Sequence, residues 1–192
     1  MTVSLSIIIP TQGRPSLARA VRSCVDAGYQ AGDEIIVAVD THGAAAVGLP
    51  PLDLPARVIQ WDAGHNCWGH CQINAALDVA WGQYITCQDD DDIYAPGAFG
   101  AMRAAASGVP MLFRFQSYHG GIYWDERGSV REHHIGGHCA VFPRDRRLGR
   151  YTCRYQGDYD YIRSTLDNWG GDHVATWHDD VIAIARPAEV AA

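Results

Sequence analysis

Short apolar strand patterns alternate with helical patterns along most of this 192-residue chain. Residues 4–10 form a β-branched apolar run, and residues 15–27 then place Leu17, Val21 and Cys24 at helical spacing. Such alternation favours βαβ units and therefore a mainly parallel sheet flanked by helices, which is an α/β fold. The predicted strands are 4–10, 34–40, 57–61, 84–88, 111–115 and 139–142, and the predicted helices are 15–27, 69–79, 97–106 and 158–168. Segment 117–137 is rich in glycine and histidine and predicts a hairpin or a mobile flap.

The size and charge of the chain limit what it can bind. Its 192 residues suit one domain with a sizeable core. The net charge of −7, with 15 Lys and Arg, argues against broad contact with nucleic acid. No apolar run approaches the roughly 18 residues that a membrane-spanning helix needs. We therefore expect no nucleic-acid partner and no transmembrane segment, and an anionic ligand would need a metal ion or backbone amides to offset the negative field.

The N-terminus and the cysteines bear on the cellular compartment. Residues 1–9 lack a basic segment and run directly into Pro10, which predicts a first strand and not a signal peptide. Six cysteines without a secretion signal favour reduced thiols, so we expect a cytoplasmic protein.

Histidines and cysteines are concentrated in two stretches, which contain His65, Cys67, His70 and Cys71 in the first and His133, His134, His138 and Cys139 in the second. A structural zinc site could be built from these residues, but their spacings differ from the usual paired-ligand patterns. Local packing and hydrogen bonding are the interpretation that the sequence favours.

Four consecutive carboxylates, residues 89–92, follow the predicted strand 84–88 directly. Such a cluster repels itself unless a hard cation is bound, and Mg²⁺ or Mn²⁺ prefers carboxylate and phosphate oxygens. A solvated acidic turn, or a helix cap ahead of Pro96, is the alternative. The position at the C-terminal end of a strand favours a ligand site, because α/β sheets bind ligands at that edge.

Polar residues also follow the first two predicted strands. Residues 11–14 follow the first strand and Asp40 ends the second. In a doubly wound sheet these strand ends meet at the crevice where a nucleotide can bind. Asp40 is then placed to accept hydrogen bonds from a base or a ribose, although a turn residue is equally consistent with the pattern. Asn66 and Asn74 frame the next helix, and either could be a cap.

The ordered set of these blocks resembles family 2 glycosyltransferases, which have the GT-A fold. The matching blocks are IIIPTQGR (7–14), DEIIVAVD (33–40), Asn66 with NAA (74–76) and WGQYI (81–85), and DDDD (89–92) with Pro96. The second half is similar more loosely, through HIGGH (134–138), GDYDY (157–161) and His178. The resemblance implies a single Rossmann-like GT-A domain over 1–192, with a nucleotide-sugar-binding half (1–100) and an acceptor and catalytic-base half (101–192).

The resemblance also implies roles for single residues. Asp89 and Asp91 would be the DxD pair that holds Mn²⁺ or Mg²⁺ on the donor's diphosphate, with His178 as a further ligand and His173 as its rival. Asp158 would be the catalytic base that deprotonates the acceptor hydroxyl and gives inversion, with Asp160 the lesser candidate. The nucleotide-binding residues would be Pro10, Thr11, Arg14, Asp40, Asn66, Gln72, Asp89 and Asp90, with a UDP-sugar as the expected donor.

Two positions depart from the family pattern. Gly157 stands where the base motif usually carries a glutamate, and Ile73 replaces an arginine often seen in the second helix. We predict a metal-dependent inverting glycosyltransferase that moves a sugar from a nucleotide-diphosphate sugar to a hydroxyl acceptor. One alternative is a nucleotide- or metal-binding protein of this fold without transferase activity. The other is a sugar-phosphate nucleotidyltransferase, although residues 11–14 are poor in the glycine and lysine that such enzymes need.

Overall fold

A computed structural model of the chain describes residues 2–42, 48–62, 64–124 and 127–187. Within these residues the strands are β1 (Leu5–Thr11), β2 (Glu34–Asp40), β3 (Arg57–Trp61), β4 (Tyr84–Cys87), β5 (Ile93–Tyr94), β6 (Met111–Gln116), β7 (Ile122–Tyr123), β8 (Ala140–Pro143) and β9 (Thr176–Ile184). The helices are α1 (Ser16–Ala27), α2 (His70–Val79), α3 (Ala98–Ala105) and α4 (Gly157–Trp169). The predicted α/β fold is confirmed.

All of these strands belong to one sheet, in the order β3-β2-β1-β4-β8-β6-β9-β5, with β7 paired to β6. The four strands from β3 to β4 are parallel, and Ile8 of β1 pairs with Ile36 of β2 and Cys87 of β4. Strand β8 is antiparallel to β4, and β9 is parallel to β6. The C-terminal ends of β1, β2 and β4 therefore lie side by side at one edge of the sheet.

The central strands are buried on both faces, which explains their unbroken apolar runs. Successive side chains point to opposite faces because a strand has a period of two. Ile8, Ile36 and Ile85 pack in one core with helices α2 and α4, whereas Ile7 and Ile35 pack in the other core with α1 and α3. The two cores fix the sheet between two layers of helices.

The predicted elements agree with the structure to within two residues at each end, but one long strand is missing from the prediction. Strand β9 contains Asp179 and Asp180 in its middle, and both are exposed, so its apolar pattern is interrupted. Its pairing with β6 is also irregular around Arg114. The hairpin predicted within 117–137 is confirmed in part by β7, which pairs with β6 through Tyr123 and Phe115.

Among the helices described, none has the length and apolar character that crossing a bilayer requires.

Candidate functional site

A cavity of about 590 Å³ opens where β1, β2 and β4 end. This volume lies within the range of small-molecule sites, about 300–1,000 Å³. The cavity brings together every residue predicted to bind the nucleotide, namely Pro10, Thr11, Arg14, Asp40, Asn66, Gln72, Asp89 and Asp90. Asp91 and Asp158 line the same cavity.

Asp90 anchors the acidic run. It is 3% exposed, and its carboxylate accepts a hydrogen bond from the Thr11 hydroxyl at 2.5 Å and one from Arg14 at 3.2 Å. Burial raises the pKa of Asp90, while the Thr11 hydrogen bond and the Arg14 charge oppose that rise. Asp90 thus ties the run to the end of β1.

Asp91 lies between two arginines. Its Oδ2 is 3.3 Å from Arg14 Nη1 and 3.2 Å from Arg186 Nε. Both guanidinium groups contact the same carboxylate oxygen, so Asp91 brings positive charge to the acidic run.

Asp89, Asp92 and His138 form a group of potential metal ligands at the acidic run, with ligand atoms all within 4.8 Å of one another. Asp92 is 2% exposed, accepts a hydrogen bond from the Arg186 backbone N–H at 2.7 Å and contacts His138 Nε2. Two carboxylates and one imidazole are a donor set that suits Mn²⁺ or a related divalent ion.

The surrounding protein shifts the pKa values of Asp89 and His138. Asp89 is exposed at the cavity. The surrounding protein still desolvates its carboxylate, and this desolvation, together with the charges of nearby carboxylates, raises the pKa of Asp89 to about 7. Burial lowers the pKa of His138, but the hydrogen bond to Asp92 and the charges of Asp92, Asp89 and Asp158 outweigh that effect and raise it to about 9. A bound cation would reverse the balance by favouring the ionised carboxylates and the neutral imidazole.

His178 is not part of this group and does not line the cavity that the described residues form. Its Nε2 is 2.9 Å from the Thr176 hydroxyl, and its ring stacks on Phe113 with the ring centres 4.7 Å apart. Burial lowers its pKa. The metal role of His178 stays a prediction, whereas His138, from the second His- and Cys-rich stretch, lies next to Asp89 and Asp92.

Asp158 is the second residue of α4 and faces the cavity. His70, which is 5% exposed, places Nε2 at 3.7 Å from Asp158 Oδ1. The other ring nitrogen, Nδ1, is 2.8 Å from the Thr152 carbonyl oxygen. A carbonyl only accepts, so Nδ1 carries the proton and Nε2 is the atom that faces Asp158. Burial lowers the pKa of His70, against the raising effect of Asp158, so the neutral form is favoured.

His70 also explains why Gly157 departs from the family pattern. A Cβ at position 157 would lie 2.4 Å from His70 Nδ1 and 2.4 Å from the Thr152 carbonyl oxygen. No side chain fits there while His70 keeps its position. The imidazole therefore occupies the space in which a glutamate would begin.

Asp160, the lesser candidate for the base, is engaged elsewhere. It accepts a hydrogen bond from Arg154 Nε at 2.6 Å and contacts the Thr152 hydroxyl. The Arg154 hydrogen bond lowers the pKa of Asp160. Asp160 does not line the cavity formed by the described part of the chain, so Asp158 alone of this pair faces it.

Gln72 contributes an unpaired amide to the wall of the cavity. Its side chain is fully buried and lines the cavity, yet neither its amide oxygen nor its amide nitrogen has a partner among the described residues. Buried amides are nearly always hydrogen-bonded in folded proteins. By contrast, Asp40 already accepts a hydrogen bond from the His42 backbone at 2.8 Å, and Asn66 accepts one from Trp68 at 3.2 Å.

Sequence reasoning missed His70, His138 and Arg186 as members of the site. The two histidines stood in the His- and Cys-rich stretches, but nothing local distinguished them from packing residues. Arg186 follows β9, the strand that the pattern did not predict.

The fold resembles those of solved glycosyltransferases. S. aureus TarS matches with a TM-score of 0.69 at 13% identity, over 95% of this chain and 36% of that one. TarS 1–349 in complex with UDP matches with a TM-score of 0.68 at 15% identity, over 95% of this chain and 60% of that one. The mannosyltransferase PcManGT from Pyrobaculum calidifontis, in complex with GDP-Man and Mn²⁺, gives 0.66 at 15% identity, over 99% of this chain and 59% of that one. These likenesses confirm the GT-A fold, and the chain spans between 36% and 60% of the length of these proteins.

No curated protein matches this chain in sequence. The profile of glycosyl transferase family 2 matches residues 6–136, which is more than half of the 192 residues. Since the ordered motifs, the fold and the profile agree, this chain belongs to glycosyl transferase family 2.

Proposed function

We propose that this protein is a metal-dependent, inverting glycosyltransferase that moves a sugar from a nucleotide-diphosphate sugar to a hydroxyl acceptor. One observation carries the proposal: a single cavity contains a group of divalent-metal ligands, an unpaired buried amide and a separate carboxylate at a helix start. Each of the three parts has a distinct task in sugar transfer.

The donor would bind along the ends of β1, β2 and β4. TarS 1–349 has been solved with UDP and with UDP-GlcNAc, and PcManGT with GDP-Man. A nucleotide sugar, with UDP as the first nucleotide to try, is therefore the natural donor class for this fold. Asp40 would accept from the base or ribose, while Gln72 would use its free amide and Arg14 would lie near the diphosphate.

Asp89, Asp92 and His138 would hold Mn²⁺ or Mg²⁺, with Asp91 close by. A divalent ion bound there would stabilise the negative charge on the departing nucleoside diphosphate. The side chains of Arg14 and Arg186 already stand at the acidic run, so they would add positive charge next to the donor's phosphates.

Asp158 would take the proton from the acceptor hydroxyl as that oxygen attacks the anomeric carbon. Asp158 lies in the first turn of α4 and faces the cavity, where its carboxylate can accept a proton. A single displacement with one base inverts the configuration at that carbon. His70 lies beside this carboxylate, with Nε2 3.7 Å from Asp158 Oδ1.

The test compares two substitutions in the same helix. Asp158→Asn keeps the size of the side chain but cannot take a proton, so transfer should slow by about 10²–10⁴-fold while nucleotide binding stays normal. Asp160→Asn is the matched control, because Asp160 lies against Arg154 and away from the cavity. Normal transfer by the Asp158→Asn variant would contradict the assignment, and nucleotide binding without any transfer in the wild type would favour a binding protein.

We also propose that the protein works in the cytoplasm. All six cysteines are described by the structure, and none of them forms a disulfide there. Reduced thiols are the rule in that compartment.

A further inference from the structure

A second group of metal-ligating side chains lies outside the cavity that the described residues outline. His65, Cys67 and Cys153 place one ligand atom each within 4.8 Å of the other two. His65 Nε2 is 3.1 Å from Cys153 Sγ, and the Cys71 thiol contacts Cys67 Sγ at 2.7 Å. Two thiols and one imidazole therefore lie close enough to share one ion, and the third thiol, Cys71, adjoins this group through Cys67.

The fold brings these side chains together from two distant segments. His65 and Cys67 precede α2, and Cys71 lies in its first turn, four residues after Cys67. Cys153 lies in the loop before α4. The sequence spacing could not reveal the group, since the fourth member is far from the other three along the chain.

The two segments are held against each other by contacts that involve no sulfur. The Asn74 side chain donates to the Tyr151 carbonyl oxygen at 2.8 Å and accepts from the Tyr151 backbone N–H at 3.0 Å. His70 reaches the Thr152 carbonyl oxygen at 2.8 Å. These hydrogen bonds hold Cys153 near Cys67 without any metal, as a preorganised site requires.

We propose that His65, Cys67, Cys71 and Cys153 bind one structural Zn²⁺ ion. A set of three cysteines and one histidine is a complete ligand set for structural zinc, which is four-coordinate and tetrahedral. With Zn–S bonds of about 2.3 Å, the sulfurs of such a site stand about 3.8 Å apart. On binding, Cys71 would therefore move about 1 Å away from Cys67 and closer to the other ligands. Cys67 is buried while His65 and Cys153 are exposed, which gives the ion a route of entry from solvent.

The ion would connect two walls of the cavity. Asn66 and Trp68, which line the cavity, alternate along the chain with the ligands His65 and Cys67. Tyr155 and Gln156, which line it from the other segment, follow Cys153 closely. Zinc at this place would fix the loop before α2 to the loop that leads into α4 and Asp158.

The test measures zinc in the whole protein, purified without chelators or metal-affinity resin from cells grown with added zinc. Elemental analysis should find about one zinc per chain. The Cys67→Ser and Cys153→Ser variants should lose most of it, and His65→Ala should lose more than His173→Ala, whose exposed histidine lies elsewhere. Asp89→Asn removes a ligand of the carboxylate group and should leave the zinc content unchanged.

A spectroscopic measurement keeps the proposal testable if a variant fails to fold. Replacing zinc by Co²⁺ in the wild type should give the intense thiolate-to-cobalt absorption of a tetrahedral site, and Cys71→Ser should weaken it. Three results would each overturn the proposal: wild-type protein that takes up neither metal, an intact mass lower by two hydrogens from a disulfide within the group, or zinc that Asp89→Asn removes. Neither readout depends on transferase activity, so the outcome is independent of the proposed function.

Discussion

His70 and Gly157 fit together at the start of α4, beside the proposed base. A Cβ at position 157 would lie 2.4 Å from the imidazole and 2.4 Å from a backbone oxygen that cannot easily move. Gly157→Ala should therefore destabilise the protein by about 1–3 kcal/mol, as overpacking does. Chemical denaturation measures this change in the free energy of unfolding.

Gly100→Ala is the matched control for that substitution. Gly100 lies inside α3, where a Cβ would meet nothing within 4 Å. Alanine there should stabilise the helix by roughly 0.5–1 kcal/mol. Equal stability of the two variants would show that position 157 has room after all.

Gln72 yields a second prediction at this scale, because its amide is buried without a partner among the described residues. Gln72→Leu keeps the volume and removes an unpaired polar group, so the ligand-free protein should be at least as stable as the wild type. Nucleotide binding should weaken by about 1–3 kcal/mol, since a hydrogen bond to the ligand is lost. Calorimetric titration with UDP and a thermal unfolding curve together check both parts, and a variant that lost stability but kept its affinity would assign Gln72 a purely structural role.

Some residues that line the cavity could be predicted because they end a strand or open a helix. Thr11 and Asp40 end β1 and β2, and Asp158, which the family resemblance indicated, lies at the start of α4. The contacts made by the acidic run could not be predicted from the sequence. It depends on Arg14, Arg186 and His138, which reach the run only through the folded chain.

At the scale of elements, β9 marks the limit of what the pattern could predict. The strands β1 and β2 are buried on both faces and read as continuous apolar runs. Strand β9 is only partly buried and carries exposed Asp179 and Asp180, so its strand character comes from pairing with β6. Arg186 follows this strand. Because β9 was not predicted, Arg186 was not predicted as a site residue either.

The division of the chain into a donor-binding half and a catalytic half stays a prediction, and one group of side chains draws on both halves. His138, from the loop before β8, joins Asp89 and Asp92 of the first half. We expect Mn²⁺ to strengthen UDP binding in the wild type. In the His138→Gln variant this gain in affinity should fall by roughly 10–100-fold or more, because loss of even an outer-shell partner has an effect of that size. His178→Gln should leave it unchanged, because His178 packs on Phe113 in β6. UDP titrations with and without Mn²⁺ measure both, and the opposite ranking would restore His178 as the ligand.

At the scale of the whole molecule, charge links donor binding to the metal. The protein carries a net charge of −7, and four of its carboxylates stand at the cavity in one run. A nucleotide diphosphate would be repelled by this field unless a cation were bound with it. The same reasoning predicts that withholding Mn²⁺ and Mg²⁺ abolishes donor turnover while the fold, whose two cores lie on the faces of the sheet, remains intact.

Donor turnover is the most direct test of the central claim, which is metal-dependent transfer from a nucleotide sugar. The wild-type protein would be incubated with UDP- and GDP-sugars, with Mn²⁺ or with a chelator, and the released nucleoside diphosphate would be measured. We predict release from at least one donor with Mn²⁺, none with the chelator, and a large loss of release in the Asp158→Asn variant when an acceptor is supplied. Release that is equal with and without divalent ions, or no release from any donor that binds, would contradict the account.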